Sequence, residues 1–386
     1  MRTIDIASPD SPLEWTGIAD IEQTRTGHRL SRLPAWARAQ TDAIPLPVVA
    51  SMPSGCRLRF TSDTRTIVLE AQLIANRIGD QPMLPVVFEL VVDGEIVASH
   101  AATNYHVIHV PDPTKPDVVV IPGAPETIVF DSLPAGSKSI ELWFAPNAGI
   151  EVRGLSIDDG ATLASAPVDP RPRWIHYGSS ISHCLEAEHP HGVWPVVAAS
   201  LAGVNVRNLG LGGQCHLDQF LARIIRDSDA DMVSMKVGIN VVNLDSMRDR
   251  AFLPALHGFL DTVREGKPEV PIVVVSPIFC PAHEDVPGPS LRGADGFHSR
   301  ERPAFLSSGA LTLVRIRELI SGAVAQRRAS GDANLHYLDG LELFGAGDVA
   351  DMPDLLHPNR AGYRRMGERF HRSVFIDGPF ARVVPR

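Results

Sequence analysis

The sequence is poor in cysteine and contains no long hydrophobic run. None of its four cysteines stands in a Cys-x-x-Cys spacing, so the sequence indicates neither a zinc site nor a disulfide framework. The longest apolar runs, such as 118–122 and 272–277, have the length of strands and fall far short of a membrane-spanning helix. The first ten residues carry acidic side chains where a secretory signal needs an apolar core. We therefore expect a soluble cytoplasmic protein without a membrane partner.

Positive charge is also scarce. The formal net charge is −9, and only four of the 36 basic residues are lysines. No segment forms the basic stripe that neutralises phosphate groups along a nucleic acid. We therefore expect no nucleic-acid partner, and the sequence gives no indication of an oligomeric state.

The first part of the chain predicts an all-β sandwich without a convincing helix. The length of 386 residues fits two domains, and the first of them is predicted over 1–165. Short runs rich in Val, Ile and Phe alternate here with Pro, Gly and Asp. Asp93 and Gly94 predict a tight hairpin between two of these runs, because glycine tolerates a positive φ. A stiff, extended linker is predicted over 161–173. The predicted strands are 66–73, 86–92, 96–100, 118–121, 127–130 and 139–144.

From residue 174 to residue 386 the pattern changes to strands that alternate with helices. Such alternation predicts a parallel sheet with helices on both faces. Sheets of this kind bind ligands at the carboxyl ends of their strands, so functional residues are expected directly after each strand. The predicted strands are 174–177, 204–209, 231–237, 272–276 and 334–338, and the predicted helices are 193–201, 217–226, 246–265, 310–328 and 360–370.

Chemically distinct groups follow four of these strands. Ser180 lies in a Gly-Ser-Ser-Ile-Ser turn, where a hydroxyl can act as a nucleophile or simply cap a helix. Gly213 and Asn240 can donate N–H groups to an oxyanion or form ordinary turns. His357 can act as a general base oriented by Asp354, or lie in a surface turn. Together these groups predict a serine acyl-transfer site in which the backbone N–H of Ser180 is a third oxyanion donor.

These runs resemble the sequence blocks of the SGNH/GDSL hydrolase family over about residues 174–374. The run containing Ser180 resembles the first block, Gly213 the second, and Gly-Ile-Asn240 the third. The fifth block is similar to Asp354-Leu-Leu-His357. The resemblance implies a flavodoxin-like α/β/α sandwich with a five-stranded parallel sheet. It also implies ester or acyl chemistry that needs no metal and no cofactor.

The first block contains three serines, and the resemblance favours one of them. Ser180 occupies the matching position for the nucleophile, while Ser179 stands where many family members have aspartate. Ser182 can instead face the substrate or cap the helix. The neighbouring His183 is expected as a wall of the substrate pocket rather than as the base.

A second Asp-x-x-His run offers an alternative base. Asp295 and His298 lie in a long loop, 277–308, that follows the fourth predicted strand. This pair lacks the proline that follows His357 at an expected helix start. The later pair is therefore favoured.

The acceptor of the acyl group is either water or a hydroxyl. Water makes the protein a carboxylic ester hydrolase, and a hydroxyl makes it an acyltransferase. Transfer requires a pocket that limits competing water. The loop 277–308 can form such an apolar cover with Phe279, Phe297 and Phe305, or it is an ordinary surface loop.

The two-domain layout is similar to GDSL-type acyltransferases of tetracycline-type polyketide biosynthesis. This resemblance implies transfer of an aromatic acyl group, salicylyl, from coenzyme A to a hydroxyl of a small molecule. Acyl-CoA is then a co-substrate and not a resident cofactor. The front domain resembles a carbohydrate-binding module. A further alternative is a binding protein whose hydrolase domain is inactive.

Overall fold

The structure, a computed structural model, describes the residues 1–8, 10–112, 117–293, 295–300 and 302–384. They form two compact units. The first comprises Met1–Pro170 and Ala187–His191, and the second comprises Arg171–Glu186 and Gly192–Arg386. The domain boundaries drawn from the sequence, 1–165 and 174–386, stay a prediction.

The first unit is a β-sandwich, as predicted. Its core is shared by two sheets, since Phe60 and Phe88 of one sheet and Leu73 and Val152 of the other are completely buried in one cluster. The first sheet contains Arg2–Ile4, Asp20–Gln23, His28–Ser31, Ile67–Ile78, His106–Val110, Val119–Ile121, Glu126–Phe130 and Ala148–Ile157. The second sheet contains Glu14–Thr16, Arg57–Ser62, Val87–Val92, Glu95–Ala101 and Lys138–Trp143.

The hairpin at Asp93 and Gly94 forms as predicted. Val92 pairs with Glu95, so Asp93 and Gly94 alone make the turn. Their φ angles are 49° and 91°. Positive φ at both positions is the signature of the tight turn whose twist matches that of the flanking strands.

Two features of the first unit differ from the sequence prediction. Short helices, Ala35–Arg38 and Pro45–Ala50, lie where no helix was expected. The first half of the predicted linker is not a free connection, because Ala164 and Thr61 exchange two backbone hydrogen bonds of 2.8 and 2.9 Å. The start of this segment therefore pairs with the strand Arg57–Ser62 instead of standing alone.

The second unit is an α/β/α sandwich with a five-stranded parallel sheet, which confirms the predicted fold class. The strands lie in the flavodoxin-like order, with the second strand along the chain at one edge. Trp174 stacks on Phe370, and Tyr177 stacks on Phe259. Because residues three apart on a strand point to opposite faces, helices cover both faces of the sheet. From edge to edge the strands are Asn205–Gly210, Arg173–Gly178, Met232–Lys236, Ile272–Val275 and Leu335–Leu338.

Helices make most connections between these strands. No helix in the described part of the chain is long and apolar enough to cross a membrane. The α-helices are Ser180–His183, Trp194–Ala202, Gln219–Asp227, Ile239–Asn243, Asp249–Gly266, Leu313–Ala329, Gly340–Leu343 and Arg360–Phe370. Shorter helical turns span Leu185–Ala187, Pro190–Gly192, Ala304–Ser307, Ala346–Asp351, His371–Ile376 and Pro379–Arg382, and a hairpin pairs Ser290–Gly293 with Gly296–Ser299.

Candidate active site

A tight turn presents Ser180 at the carboxyl end of the first parallel strand. The strand ends at Gly178, and Ser180 is the first residue of a short helix. The Oγ of Ser179 caps this helix by accepting the N–H of Ile181 at 3.3 Å. A Cβ at position 178 would lie 2.3 Å from the Oγ of Ser182, so only glycine fits there. The turn therefore depends on close packing around the serine.

Burial separates the three serines of the turn. Ser179 and Ser182 are completely buried, whereas Ser180 is partly exposed. The Oγ of Ser182 lies 2.8 Å from the Nε2 of the buried His176. His183 is also completely buried. Both side chains are therefore enclosed beneath the turn, and a contact of Ser182 or His183 with the substrate stays a prediction.

The side chains of Ser180, His357 and Asp354 form a hydrogen-bonded relay. The Nε2 of His357 lies 2.8 Å from the Oγ of Ser180, and its Nδ1 lies 2.8 Å from the Oδ2 of Asp354. With Nδ1–H donating to the carboxylate, Nε2 is left to accept the serine proton. A general base requires a separation of about 2.6–3.2 Å from the proton-bearing atom. The relay therefore meets the geometric condition for a serine nucleophile with its base.

The loop that carries Asp354 and His357 has a constrained backbone. Leu355 has a φ of 63°, and the curl lets one oxygen of Asp354 accept two backbone N–H groups at 2.6 and 3.0 Å. The sequence predicted that Pro358 begins the next helix, but the helix begins at Arg360. Asn359 caps that helix instead, since its Oδ1 accepts the N–H of Gly362 at 3.0 Å.

Opposing effects act on the pKa values of the relay. Burial lowers the pKa of His357, but the charges of Glu186 and Asp354 and the hydrogen bond to Asp354 outweigh it, and the net pKa is raised. Burial raises the pKa of Asp354, but the hydrogen bonds and charge of His357 lower it overall. Asp354 therefore stays a carboxylate at neutral pH and stabilises the imidazolium that forms when His357 takes a proton.

The predicted oxyanion donors follow the two strands that flank the strand leading to Ser180. Gly213 has a φ of 69°, and the space where a side chain would stand is open. The Oδ1 of Asn240 accepts the N–H of Cys215 at 3.0 Å. Because that backbone group can only donate, the bond fixes the amide orientation and leaves the NH₂ of Asn240 as a donor.

The second unit also matches a known family in sequence. Residues 176–365 match the family described as GDSL-like lipase/acylhydrolase. The matched residues include Ser180, Asp354 and His357, so the relay lies inside the matched region. No curated protein matches the chain in sequence.

Solved structures resemble the whole chain and not only the region that matches this family. The salicylyl-acyltransferase SsfX3 from a tetracycline biosynthetic pathway is 25% identical, with a TM-score of 0.77 and 95% of each chain covered. A protein of Bacteroides ovatus named as a GDSL-like lipase is 18% identical, with a TM-score of 0.64, covering 93% of this chain and 94% of its own. A family two carbohydrate esterase from Clostridium thermocellum is 15% identical, with a TM-score of 0.55, covering 84% and 93%. The last two likenesses concern the fold alone.

A hairpin over 290–299 brings Phe297 into contact with His357. The rings of Phe297 and His357 meet edge to face, with centroids 5.7 Å apart and planes at 77°. The N–H of Phe297 donates to the backbone carbonyl of Asp354 at 2.9 Å. The guanidinium of Arg292 lies 5.2 Å from the centre of the same phenyl ring. Phe297 therefore lies beside His357, and its contact with a substrate stays a prediction.

The second Asp-x-x-His pair lies on the other face of this hairpin. The Nε2 of His298 binds the Oδ1 of Asp295 at 2.8 Å, and both side chains are exposed. Successive residues of a strand point to opposite faces, so His298 points away from His357 while Phe297 points toward it. The hydroxyl of Ser180 is hydrogen-bonded to His357 and not to His298.

The remaining phenylalanines of the loop 277–308 lie differently. Phe279 is half-buried and donates its backbone N–H to the carbonyl of Phe344 at 3.0 Å, and Phe305 is 78% exposed. Positions 294 and 301 of this loop lie outside the described residues. Within the described part of the chain, Phe297 alone makes a ring contact with the relay. A substrate contact of Phe279 stays a prediction.

Two groups near the site were not predicted. His176 lies 2.8 Å from the Oγ of Ser182 and 2.7 Å from the Oγ of Ser234. Burial holds its pKa well below the ordinary value, so its ring is neutral. The Oε1 of Glu186 lies 3.8 Å from the Nδ1 of His357. A histidine inside a predicted strand is a weak signal for a buried network, and Glu186 belongs to no local pattern.

Proposed function

We propose that the chain is a serine acyl-transfer enzyme that works through an acyl-enzyme on Ser180. The observation that carries this proposal is the relay, in which His357 bridges Ser180 and Asp354 with two separations of 2.8 Å. The match of residues 176–365 to the GDSL-like lipase/acylhydrolase family supports the same chemistry.

The proposed reaction has two halves. In the first, the Oγ of Ser180 attacks the acyl carbonyl while His357 takes the hydroxyl proton. The tetrahedral intermediate collapses, His357 gives the proton to the leaving thiol or alcohol, and the acyl group remains on the serine. In the second half, His357 takes a proton from the acceptor, whose oxygen attacks the acyl carbonyl. Collapse of this second intermediate returns the proton to Ser180.

Three donors are proposed to hold the developing oxyanion. They are the backbone N–H groups of Ser180 and Gly213 and the side-chain NH₂ of Asn240. The amide of Asn240 is held in a donating orientation by its bond to Cys215. Loss of one such donor typically slows an acyl-transfer reaction by about a hundredfold or more.

The favoured reaction is transfer of an aromatic acyl group, salicylyl, from a CoA thioester to a hydroxyl of a polyketide natural product. The likeness to the salicylyl-acyltransferase supports it, since that likeness covers 95% of both chains at 25% identity. The phenyl ring of Phe297 beside His357 supports an aromatic substrate. Arg292 next to this ring adds a positive charge suited to an anionic donor. A cytoplasmic location, where CoA thioesters occur, is part of this proposal.

Hydrolysis is the second candidate. Ser180 is partly exposed, and the side chain of His357 keeps 13% of its surface exposed, so water has access to both. The chemistry before the acyl-enzyme is the same in both candidates. Only the second acceptor differs.

Mass spectrometry of the intact protein separates these candidates. The wild type is mixed with salicylyl-CoA, benzoyl-CoA or acetyl-CoA, with and without polyphenolic alcohols, and the acyl adduct is followed in time. We expect an adduct with the aromatic donors that decays faster when an alcohol is present, together with a new ester product. Ser180→Ala is the control and should form no adduct.

The remaining outcomes decide between the alternatives. Decay that is fast in water and unaffected by every alcohol would identify a hydrolase. Absence of any adduct, together with no reaction of the wild type with a fluorophosphonate, would identify a binding protein.

A further inference from the structure

We propose that Glu186 is a positioning residue for His357, the proposed base. Its carboxylate is the second one beside the imidazole, after that of Asp354, and it sets the pH range in which His357 accepts a proton. The inference rests on the proposed roles of Ser180 and His357. It assigns to Glu186 a function distinct from that of Asp354.

Both carboxylates face the same nitrogen of the imidazole. The Nδ1 of His357 lies 2.8 Å from the Oδ2 of Asp354 and 3.8 Å from the Oε1 of Glu186. The longer separation exceeds that of a hydrogen bond, so Glu186 acts on the ring by its charge. Its side chain is 27% exposed, which leaves this interaction only partly screened by water.

Tyr363 fixes the orientation of this second carboxylate. Its hydroxyl donates to the Oε2 of Glu186 at 2.8 Å. Tyr363 is completely buried and lies on the helix Arg360–Phe370, which directly follows the loop carrying His357. A buried hydroxyl that loses its partner is costly, so the pair holds Glu186 with its other oxygen toward the imidazole.

The charges around His357 oppose one another. Asp354 lies on the same loop as His357. Glu186 follows the turn of Ser180, and Arg292 lies on the hairpin over 290–299. Burial and the charge of Arg292 lower the pKa of His357, whereas Glu186 and Asp354 raise it. Removal of the charge at Glu186 therefore lowers the pKa of the base and leaves its hydrogen bond to Asp354 in place.

The two carboxylates thus differ in what their loss changes. Asp354 selects the tautomer, so its loss lowers the rate at every pH. Glu186 only favours the charged ring, so its loss moves the pH at which the ring gains a proton. This difference makes the pH profile the decisive measurement.

The test measures the rate of covalent labelling by a fluorophosphonate as a function of pH, for the wild type and Glu186→Gln. Labelling needs a neutral imidazole, so the rate falls on the acid side as His357 becomes protonated. We expect the midpoint of this fall to move to lower pH by about 1 unit in the variant. The rate on the neutral plateau should change by less than about threefold, since orientation by Asp354 persists.

Two further variants complete the test. Tyr363→Phe should move the midpoint in the same direction by a smaller amount, and it decides the question if Glu186→Gln does not fold. Glu368→Gln removes a carboxylate that pairs with Arg364 on the same helix as Tyr363 and should leave the profile unmoved. A Glu186→Gln profile that coincides with the wild type would overturn the inference. Failure of the wild type to be labelled at any pH would instead overturn the proposed function.

Discussion

At the scale of single residues, Ser180 is positioned by neighbours that take no part in the proposed chemistry. Ser179 caps the short helix, and Ser182 is bound to His176 beneath it. Three hydroxyls that look equivalent in the sequence therefore have three different environments. The resemblance to a family predicts that Ser180 is the one that reacts. The burial of the three serines could not be predicted, because it depends on strands that are distant along the chain.

The choice between the two Asp-x-x-His pairs can be tested with matched substitutions. Asp354→Asn should lower kcat/KM for a p-nitrophenyl ester by roughly 10³ to 10⁴-fold with the fold intact, because an amide favours the wrong tautomer of His357. Asp295→Asn should change it by less than about twofold, since His298 points away from the site. Circular dichroism checks that both variants are folded. A large loss in the second variant with little loss in the first would contradict the assignment.

At the scale of elements, the parallel strands of the second unit were the most predictable part of the fold. All five lie within one residue of their predicted bounds. Ile272–Val275 is apolar on both faces, so this strand can be recognised without knowledge of a distant partner. The loop positions of Gly213 and Asn240 followed from these strand ends.

The strand Arg57–Ser62 escaped prediction because its arginines pair with charges that are distant along the chain. Arg57–Ser62 is buried along most of its length although it contains two arginines. Arg59 binds Glu14 at 2.8 Å and Glu141 at 3.2 Å, and Arg57 binds Glu141 at 3.2 Å. These partners lie on other strands, so no local pattern indicates that the arginines can be buried. The hairpin that brings Phe297 to His357 was missed for a similar reason, since its contacts lie across the fold.

The central parallel strand ends in an unusual buried charge. Lys236 is 1% exposed, and its Nζ has no hydrogen-bond partner among the described residues. Burial lowers its pKa from 10.5 to about 8, although the thiols of Cys215 and Cys184 act in the opposite direction. A buried cation without a partner is destabilising.

Replacement of this lysine should therefore stabilise the protein in a pH-dependent way. The pKa of Lys236 is lower in the folded state than in the unfolded state. The loss of folding stability caused by burying its charge is therefore fully present below pH 8 and disappears as the pH rises toward 10.5. Lys236→Met should raise the free energy of unfolding by about 3 kcal/mol at pH 7. Urea unfolding of both proteins at pH 7 and pH 9.5 measures this, and the difference should shrink at the higher pH. A difference that is the same at both pH values would contradict the prediction.

At the scale of the whole molecule, both units take part in the likeness to known structures. The salicylyl-acyltransferase covers 95% of this chain, which includes the first unit. That unit also takes in Ala187–His191, where Glu89 contacts His189 at 3.1 Å and His191 at 2.6 Å. Burial opposes ionisation of Glu89, but these hydrogen bonds lower its pKa to about 2. The first unit therefore includes residues that follow Ser180 along the chain.

The central claim concerns a single reactive hydroxyl, and peptide mapping by mass spectrometry tests it most directly. The whole protein is treated with a fluorophosphonate, digested and sequenced, with Ser180→Ala treated in parallel. We predict one adduct per chain on Ser180 of the wild type and none on the variant. A wild-type adduct on Ser179, Ser182 or any other residue, or equal labelling of the variant, would contradict the account.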